Sequence, residues 1–405
     1  MPWRESCAMK ERLMFIAAWL SDEESRTGLC ERYGISRKTG YKWAARYASD
    51  PFGGLVDRSH APLNIPHKIE ADIADPIVAL RRQRSSWGPR KLRVVLMKRH
   101  PERSWPAAST IGDLLHREGL VGNRRRRSAA LAQDQSFAPI RQANDTWCMD
   151  FKGWFRTHDG RRCDPLTVSD SYSRYLLACQ IVPPTGDGVQ PVVERLLREH
   201  GLPRAIRSDN GPPFASTAAG GLSRLSVTWL KLGIRLERIE PGCPQQNGRH
   251  ERLHRTLKRD TACPAAANPA AQQARFDRFR QIYNEERPHE ALGQIPPAEV
   301  WQRSLRPYPC RVEDPVYPAD HAVRRVRSNG EIRWGGDRVF VSEALVGETV
   351  GVAETETGDW IIRFADLELG LIERRTKKLR RFTAPRPGRR EANTQTQTVT
   401  HQPGP

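Results

Sequence analysis

Long apolar runs are missing from this 405-residue chain; none approaches the roughly 20 residues of a membrane span. The opening stretch "MPWRESCAMKERL" has no basic start followed by an apolar core. It therefore predicts no signal peptide and a cytoplasmic protein, without a membrane partner. The eight cysteines are scattered, none in C-x-x-C and none near a His pair at zinc-ligand spacing. That excludes zinc fingers and ribbons and predicts reduced, mostly buried thiols. Acidic charge is short as well. The 47 Asp and Glu face 66 Lys and Arg, a net +19, which points to a polyanionic partner, most often nucleic acid. Residues 1–128 hold 25 basic and 14 acidic residues, over half of that excess.

The patterning predicts a multidomain chain. Residues 1–50 read as three helices, with a turn at Gly34-Ile35 and Ser36 capping the last helix. Leu13, Phe15, Ile16 and Leu20 form the apolar stripe of the first helix, and Trp43, Ala44 and Tyr47 that of the third. Arg37, Lys38 and Lys42 lie on other faces, free to meet a duplex. This is helix-turn-helix spacing, with the third helix suited to a major groove. Residues 51–66, rich in Gly and Pro, read as a linker.

A second small helical unit, of winged-helix type, is expected over 67–125. Its three helices come from "IEADIADPIVALRRQ", "GPRKLRVVLMKRH" and "PAASTIGDLLHREG", the last closed by Gly119, with Trp87 and Trp105 packed between them. The run Arg124, Arg125, Arg126, Arg127 suits a phosphate-tracking segment, and 126–143 reads as a basic linker. From 144 to 302 the pattern alternates strands with amphipathic helices, which predicts an α/β domain. Residues 303–320 read as a Pro-rich linker. Residues 321–373 alternate apolar and polar between Gly turns and predict a small all-β barrel. The basic, polar stretch 374–405 reads as a disordered tail.

Within the α/β domain, "SDNGPPF" (208–214) contains ordinary turn chemistry, since Asp, Asn and Gly tolerate left-handed backbone. The strand "AIR" before it, however, places Asp209 at a strand's C-terminal end, where open α/β sheets bind ligands. Asp150 lies on the first strand, "TWCMDFKGWF", and Glu251 on the helix "NGRHERLHRTLKRD". Together they form a candidate site for Mg²⁺, which prefers hard oxygen ligands and retains waters and substrate phosphates. Two ions about 3.5–4 Å apart serve phosphoryl transfer by activating the attacking oxygen and stabilising the leaving one. Lys258, two helical turns after Glu251, shares its face and can hold a phosphate. His254 lies on that side too and reads as structural or phosphate-facing, among the expected DNA contacts rather than the metal ligands. Asp170, near another strand end, reads as a turn cap.

"WCMDFKG", "SDNGPPF", "PGCPQQNGRHERLHRTLKRD" and "YNEERPHEALGQIPPAEVW" resemble the catalytic domain of bacterial insertion-sequence transposases of the retroviral-integrase superfamily. "RYGISRKTGYKW" and "SSWGPRKLR" look like their DNA-end-binding units, which adds Arg90 and Lys91 to the expected DNA contacts. The resemblance spans about residues 10–303. It implies an RNase H-like fold and a triad of Asp150, Asp209 and Glu251 binding two Mg²⁺ or Mn²⁺. It also implies hydrolysis at the element's 3′ ends, strand transfer into target DNA, and assembly of several copies on double-stranded DNA. Asn247 matches the segment before the catalytic helix, Lys258 its DNA-contacting basic position, and the C-terminal β-rich part the SH3-like barrels that follow many integrase cores. Asp209 and Glu251 are separated by 41 residues, more than is usual, and "ASTAAGGLSRLS" is the expected insertion. The competing readings are a domesticated regulator that binds without cutting and a plain RNase H-like nuclease. The intact carboxylates oppose the first; the flanking DNA-binding units oppose the second.

Overall fold

The computed structural model describes residues 7–58, 69–122, 137–239, 246 and 248–382, apart from the side chain of residue 249. The chain divides into two compact units, Met1–Ile69 and Glu70–Pro405.

The first unit is α1 (Ala8–Ser21), α2 (Arg26–Arg32) and α3 (Arg37–Ser49). Ser36 caps α3, its hydroxyl accepting from Thr39 N–H at 3.2 Å. Phe15, Ile16, Leu29, Cys30 and Trp43 make the core. Leu13 and Leu20, expected inside, are 50% and 64% exposed, because the adjacent pair Phe15-Ile16 sets the buried face of α1. The expected linker at 51–66 begins as part of this unit. Leu55 is buried with the core, and Arg12 bonds its carbonyl at 2.8 Å and Asp57 at 2.7 Å.

The second unit starts with α4 (Ala71–Gln83), α5 (Pro89–Arg99) and α6 (Ala108–Arg117). Trp87 and Trp105 are buried as expected. These helices are tied to the α/β layer rather than set apart from it. Arg84 pairs with Glu286 at 2.9 Å, and the Ser86 hydroxyl donates to Asp260 at 2.8 Å.

The α/β layer contains β1 (Thr146–Phe151), a hairpin of β2 (Phe155–Arg156) and β3 (Arg162–Cys163), β4 (Pro165–Asp170), β5 (Leu176–Ile181), α7 (Gly186–His200), β6 (Ala205–Ser208), α8 (Arg224–Lys231), β7 (Arg235–Arg238), α9 (Gly248–Thr261), α10 (Pro269–Glu285) and α11 (Pro297–Val300). Its sheet runs β5-β4-β1-β6-β7. β1 pairs antiparallel with β4 and parallel with β6, and β6 parallel with β7. This is the mixed order expected of an RNase H-like core. α7 buries Val189, Val192, Val193, Leu196 and Leu197, a helical-period stripe packed on the sheet with Trp147, Met149 and Ile206.

Two segments differ from the sequence reading. Residues 303–306, expected as free linker, run as a strap. Ser304 N–H donates to His200 O at 2.9 Å, and Arg306 reaches the carbonyls of Pro203, Leu232 and Gly233 at 2.9–3.0 Å. Gly201 closes α7 at φ +79°, where an added Cβ would lie 2.7 Å from Arg306 O and 2.9 Å from Ser304. Only glycine fits beneath the strap.

The second difference lies after Asp209, in the stretch expected as an insertion. α8 begins at Arg224, and Ser223 and Ser226 form its capping box. The stretch before it packs on the C-terminal part: Ala219, Leu222 and Val227 share a core with Val352, Ile362 and Leu369. At Gly220, φ +66°, an added Cβ would lie 3.0 Å from Leu367 and Leu369 Cδ2. Gly220→Ala is expected to destabilise this junction by about 1–2 kcal/mol. Limited proteolysis then accelerates in 307–320, whereas an unchanged cleavage rate would mean that the junction does not hold the C-terminal strands.

The C-terminal part is all-β: β8 (Ala322–Arg325), β9 (Glu331–Trp334), β10 (Asp337–Phe340), β11 (Thr349–Glu354), β12 (Trp360–Phe364), β13 (Leu367–Ile372) and β14 (Leu379–Arg381). Among the described residues its ladders form an open five-stranded sheet, β14-β13-β12-β11-β8, and a β9–β10 hairpin. β14 lies beyond residue 373, where the barrel was expected to stop, because 379–381 pairs along β13.

Candidate active site

β1 is the middle strand of the sheet. Its first four residues are buried and Asp150 falls where burial relaxes. Asp209 follows β6, the parallel neighbour of β1, so both carboxylates leave the same end of two adjacent strands. Glu251 sits in the first turn of α9. Burial, then the charge of Asp209 and to a smaller extent that of Glu251, push the Asp150 carboxyl up to about 7, against the Phe151 N–H and Lys152. Asp209 is raised by burial, opposed by Gly211 N–H and by Arg238. Arg238, on β7, is itself pulled down to about 10 by burial, with Asp209 acting the other way. Its guanidinium bonds Ser208 Oγ at 3.2 Å and Phe214 O at 2.9 Å, bracing the Asp209 loop. Among the described residues no three His, Cys, Asp or Glu side chains stand close enough to hold a metal ion. The three carboxylates meet through their fields rather than as a closed ligand cage.

Beneath Asp150 lies a polar hub that sequence reasoning missed. Thr167 is the cross-strand partner of Asp150. Its hydroxyl donates to Asp150 O at 3.0 Å and lies 2.6 Å from His250 Nε2 and 2.7 Å from His254 Nε2. A hydroxyl has one proton to give, so both imidazoles donate from Nε2. His250 Nδ1 then accepts from Ser169 Oγ at 3.2 Å, and His254 Nδ1 faces Asp150 Oδ2 at 3.8 Å. Burial pulls His250 down to about 4, and burial followed by His250 and Lys152 lowers His254 further. Both rings are neutral near pH 7 and pin α9, and with it Glu251, to β4. The only sequence signal was the pairing of an inward Thr with histidines one residue before and three after Glu251. Thr167→Val strands two buried N–H donors and is expected to destabilise the protein by about 2–4 kcal/mol, read by urea denaturation. A loss under about 0.5 kcal/mol would remove the hub as the anchor of α9.

The remaining expected residues fall into three groups. Arg37, Lys38, Lys42 and Lys258 are exposed, Lys42 with its Nζ 4.8 Å over the Trp43 ring. Arg90 is exposed but reaches Glu290 at 3.1 Å. Lys91 is partly buried, pulled down to about 8 by burial and then by Arg287. His254, read as structural or phosphate-facing and counted among the expected DNA contacts, takes the structural role: it is 8% exposed inside the hub, because its helical face turns toward Thr167. Arg124, Arg125, Arg126, Arg127 and Asn247 lie outside the described residues. Asp170 is the turn cap expected, accepting from Asn144, Tyr172 and Ser173 N–H at 2.7–3.1 Å.

Integrase core domain models match residues 140–244 and 232–297, and a homeodomain-like domain model matches 39–115. The insertion element IS476 uncharacterized 39.2 kDa protein of Xanthomonas euvesicatoria is 30% identical over 248 residues, 59% of this chain and 67% of that protein. The chain belongs to the integrase-core transposases of bacterial insertion elements. The insertion element IS407 uncharacterized 31.7 kDa protein of Burkholderia multivorans is 29% identical, over 60% of this chain and 87% of that protein. Among solved structures, the HTLV-2 integrase catalytic core domain in complex with magnesium aligns at 15% identity and a TM-score of 0.31, covering 39% of this chain and 97% of that one. In this transposase the homeodomain-like match takes in most of α3 and then α4 and α5 with the greater part of α6, and the integrase-core matches cover the α/β layer. No described helix is long and apolar enough to cross a membrane.

Proposed function

We propose that this transposase cuts the 3′ ends of its element and joins them to target DNA at Asp150, Asp209 and Glu251, which hold two Mg²⁺ or Mn²⁺ ions. What supports this is the placement of Asp150 on β1 and Asp209 just after its parallel neighbour β6, with Glu251 in the first turn of α9 and the charges of both acting on the buried Asp150 carboxyl. Such mutual repulsion is what a divalent cation relieves, and the donors are the hard oxygens that Mg²⁺ takes. Bound there, the ions supply charge neutralisation at the attacking and leaving oxygens. The protein's own part is positional. β1 and β6 present two carboxylates, the hub fixes α9, and Lys258 sits at the surface two turns beyond Glu251 to take a DNA phosphate.

α3 of the first unit reads the element end. Arg37→Ala or Lys38→Ala is expected to lower the salt slope of end binding by about 0.9 for each phosphate that goes unneutralised. An unchanged slope would turn those side chains away from DNA. Joining two ends calls for at least two copies of the chain on DNA, and the protein works in the cytoplasm on nucleoid DNA.

The test uses the element's terminal repeats as labelled duplexes, incubated with the full chain in Mg²⁺ beside a Glu251→Gln variant. Nicking at the 3′ end with strand-transfer products, absent in the variant, is the expected result. Specific binding without cleavage in Mg²⁺ or Mn²⁺ would make the protein a regulator instead.

A further inference from the structure

Beyond Asp150 the chain leaves β1 through Lys152 and Gly153 to Trp154, then enters the β2–β3 hairpin. Trp154 is 57% exposed, unlike the buried Trp87, Trp147 and Trp229. It borders a cleft lined also by Phe155, Leu257 and Phe276, with Lys152 and Lys258 among the lining residues. The cleft is therefore bounded by the strand that bears Asp150 and the helix that bears Glu251. Lys258 stands about 10 Å along α9 from Glu251.

Two guanidiniums attend the ring: Arg162 Cζ at 5.3 Å from its centroid and Arg156 Cζ at 5.8 Å. They are direct cross-strand partners in the hairpin, an arrangement of like charges that is unfavourable by itself. Asp164 holds Arg162 through two bonds of 2.6 and 2.8 Å, and Arg156 donates to Gly160 O at 2.6 Å. An open indole with Arg156 beside it, an aromatic and aliphatic cleft wall and two lysines on that wall together match one ligand chemistry: a flat base on a phosphate chain. A paired and stacked base has no free face to offer, so the match is to a nucleotide out of the duplex.

We propose that Trp154 is a stacking platform for one unpaired nucleotide of the DNA beside the scissile phosphate, with Arg156, Lys152 and Lys258 taking the adjoining phosphates and Arg162, held by Asp164, bracing the indole. The inference rests on the reading of Asp150, Asp209 and Glu251 as the cutting site, and it adds how the DNA end is held open there.

The experiment measures binding by full-length protein carrying Glu251→Gln, which cannot cut. The probes are an element-end duplex with three unpaired nucleotides at the cleavage point and its fully paired counterpart, each with 2-aminopurine placed in turn at the three nucleotides on either side. Trp154→Ala is expected to weaken the frayed duplex about 5- to 150-fold, the range of a single base–aromatic stack, and the paired duplex by less than about twofold. A 2-aminopurine response at one position is expected to vanish in Trp154→Ala and to survive in Trp154→Phe. Equal weakening of both duplexes, no weakening, or the same loss in Trp154→Phe would each overturn the platform. Cleavage by otherwise wild-type protein in Mg²⁺ is scored separately, so a failure of the catalytic reading cannot be mistaken for a failure of the platform.

Discussion

Asp150→Asn protein will bind element-end DNA close to wild-type affinity and cut it at least ~10³-fold more slowly, the scale on which members of a catalytic unit fail. Amide and carboxylate have nearly the same shape, so the hub beneath and the strand pairing stay intact. What disappears is the charge that helps attract and place the ions. The same substitution has an opposite effect on stability. In metal-free protein Asp150 is pushed up to about 7, from about 4 in an unfolded chain. The folded state therefore holds that proton more tightly than the unfolded one, and stability falls as pH rises from about 4 to about 7 and stays low above. Asp150→Asn abolishes this fall and should leave the protein more stable than wild type at pH 8, by about 4 kcal/mol at most. Mg²⁺ should raise the wild-type melting temperature more at pH 8 than at pH 5, where protons compete for the carboxylate, and do little for the variant. Thermal melts at the two pH values with and without Mg²⁺ check all of this. Wild-type cleavage rates in the variant would remove Asp150 from the site. A Mg²⁺ shift equal at both pH values would remove the buried carboxylate as its cause.

How far the site was legible depended on which residues announce themselves locally. Asp150 and Asp209 stood out as candidates because each lies at the end of a short apolar strand, although the Asn-Gly after Asp209 is ordinary turn chemistry that argued the other way. Glu251 stood out as the third candidate by its place on a strongly helical stretch. Thr167 was invisible because its importance comes from register. Only the antiparallel pairing of β1 with β4 puts its hydroxyl under Asp150, and only the docking of α9 brings two imidazoles to it. His254 was left between a structural and a phosphate-facing role for the same reason, since spacing gives the face of a helix but not what covers it. The stretch 215–226 looked like an insertion because it is small-residue and Gly-rich, yet those small residues are what let the C-terminal strands approach so closely. The strap at 303–306 looked like linker because prolines surround it, while its bonds run through backbone carbonyls far away in sequence.

β7 was missed altogether, and its sequence shows why it matters. "RLER" offers a single apolar residue and no strand signature. In the structure Glu237 faces Arg207 of β6 across the parallel ladder. Arg207 Nε and Nη2 both donate to Glu237 Oε2, at 3.0 and 2.8 Å, with the side chains only 4% and 10% exposed. The Arg207 guanidinium also lies 4.0 Å from the Phe137 ring centroid. Glu237→Ala is therefore expected to destabilise the protein by about 3–5 kcal/mol, because it leaves a buried guanidinium that cannot shed its proton. The damage reaches the active site by a short route: Arg238, the next residue, braces the Asp209 loop through Ser208 and Phe214. A loosened β7 should thus lower cleavage even under conditions where most of the protein is folded. The double variant Arg207→Met/Glu237→Leu removes both charges at similar volume and is expected to recover most of the stability, since a buried pair adds little over well-packed apolar groups. Urea denaturation of the three proteins decides the matter. A loss below about 1 kcal/mol in Glu237→Ala would mean that water reaches Arg207 and that the pair does not hold the edge of the sheet. A double variant as unstable as the single one would mean that the charges themselves, rather than the avoidance of an orphaned one, keep β7 in place.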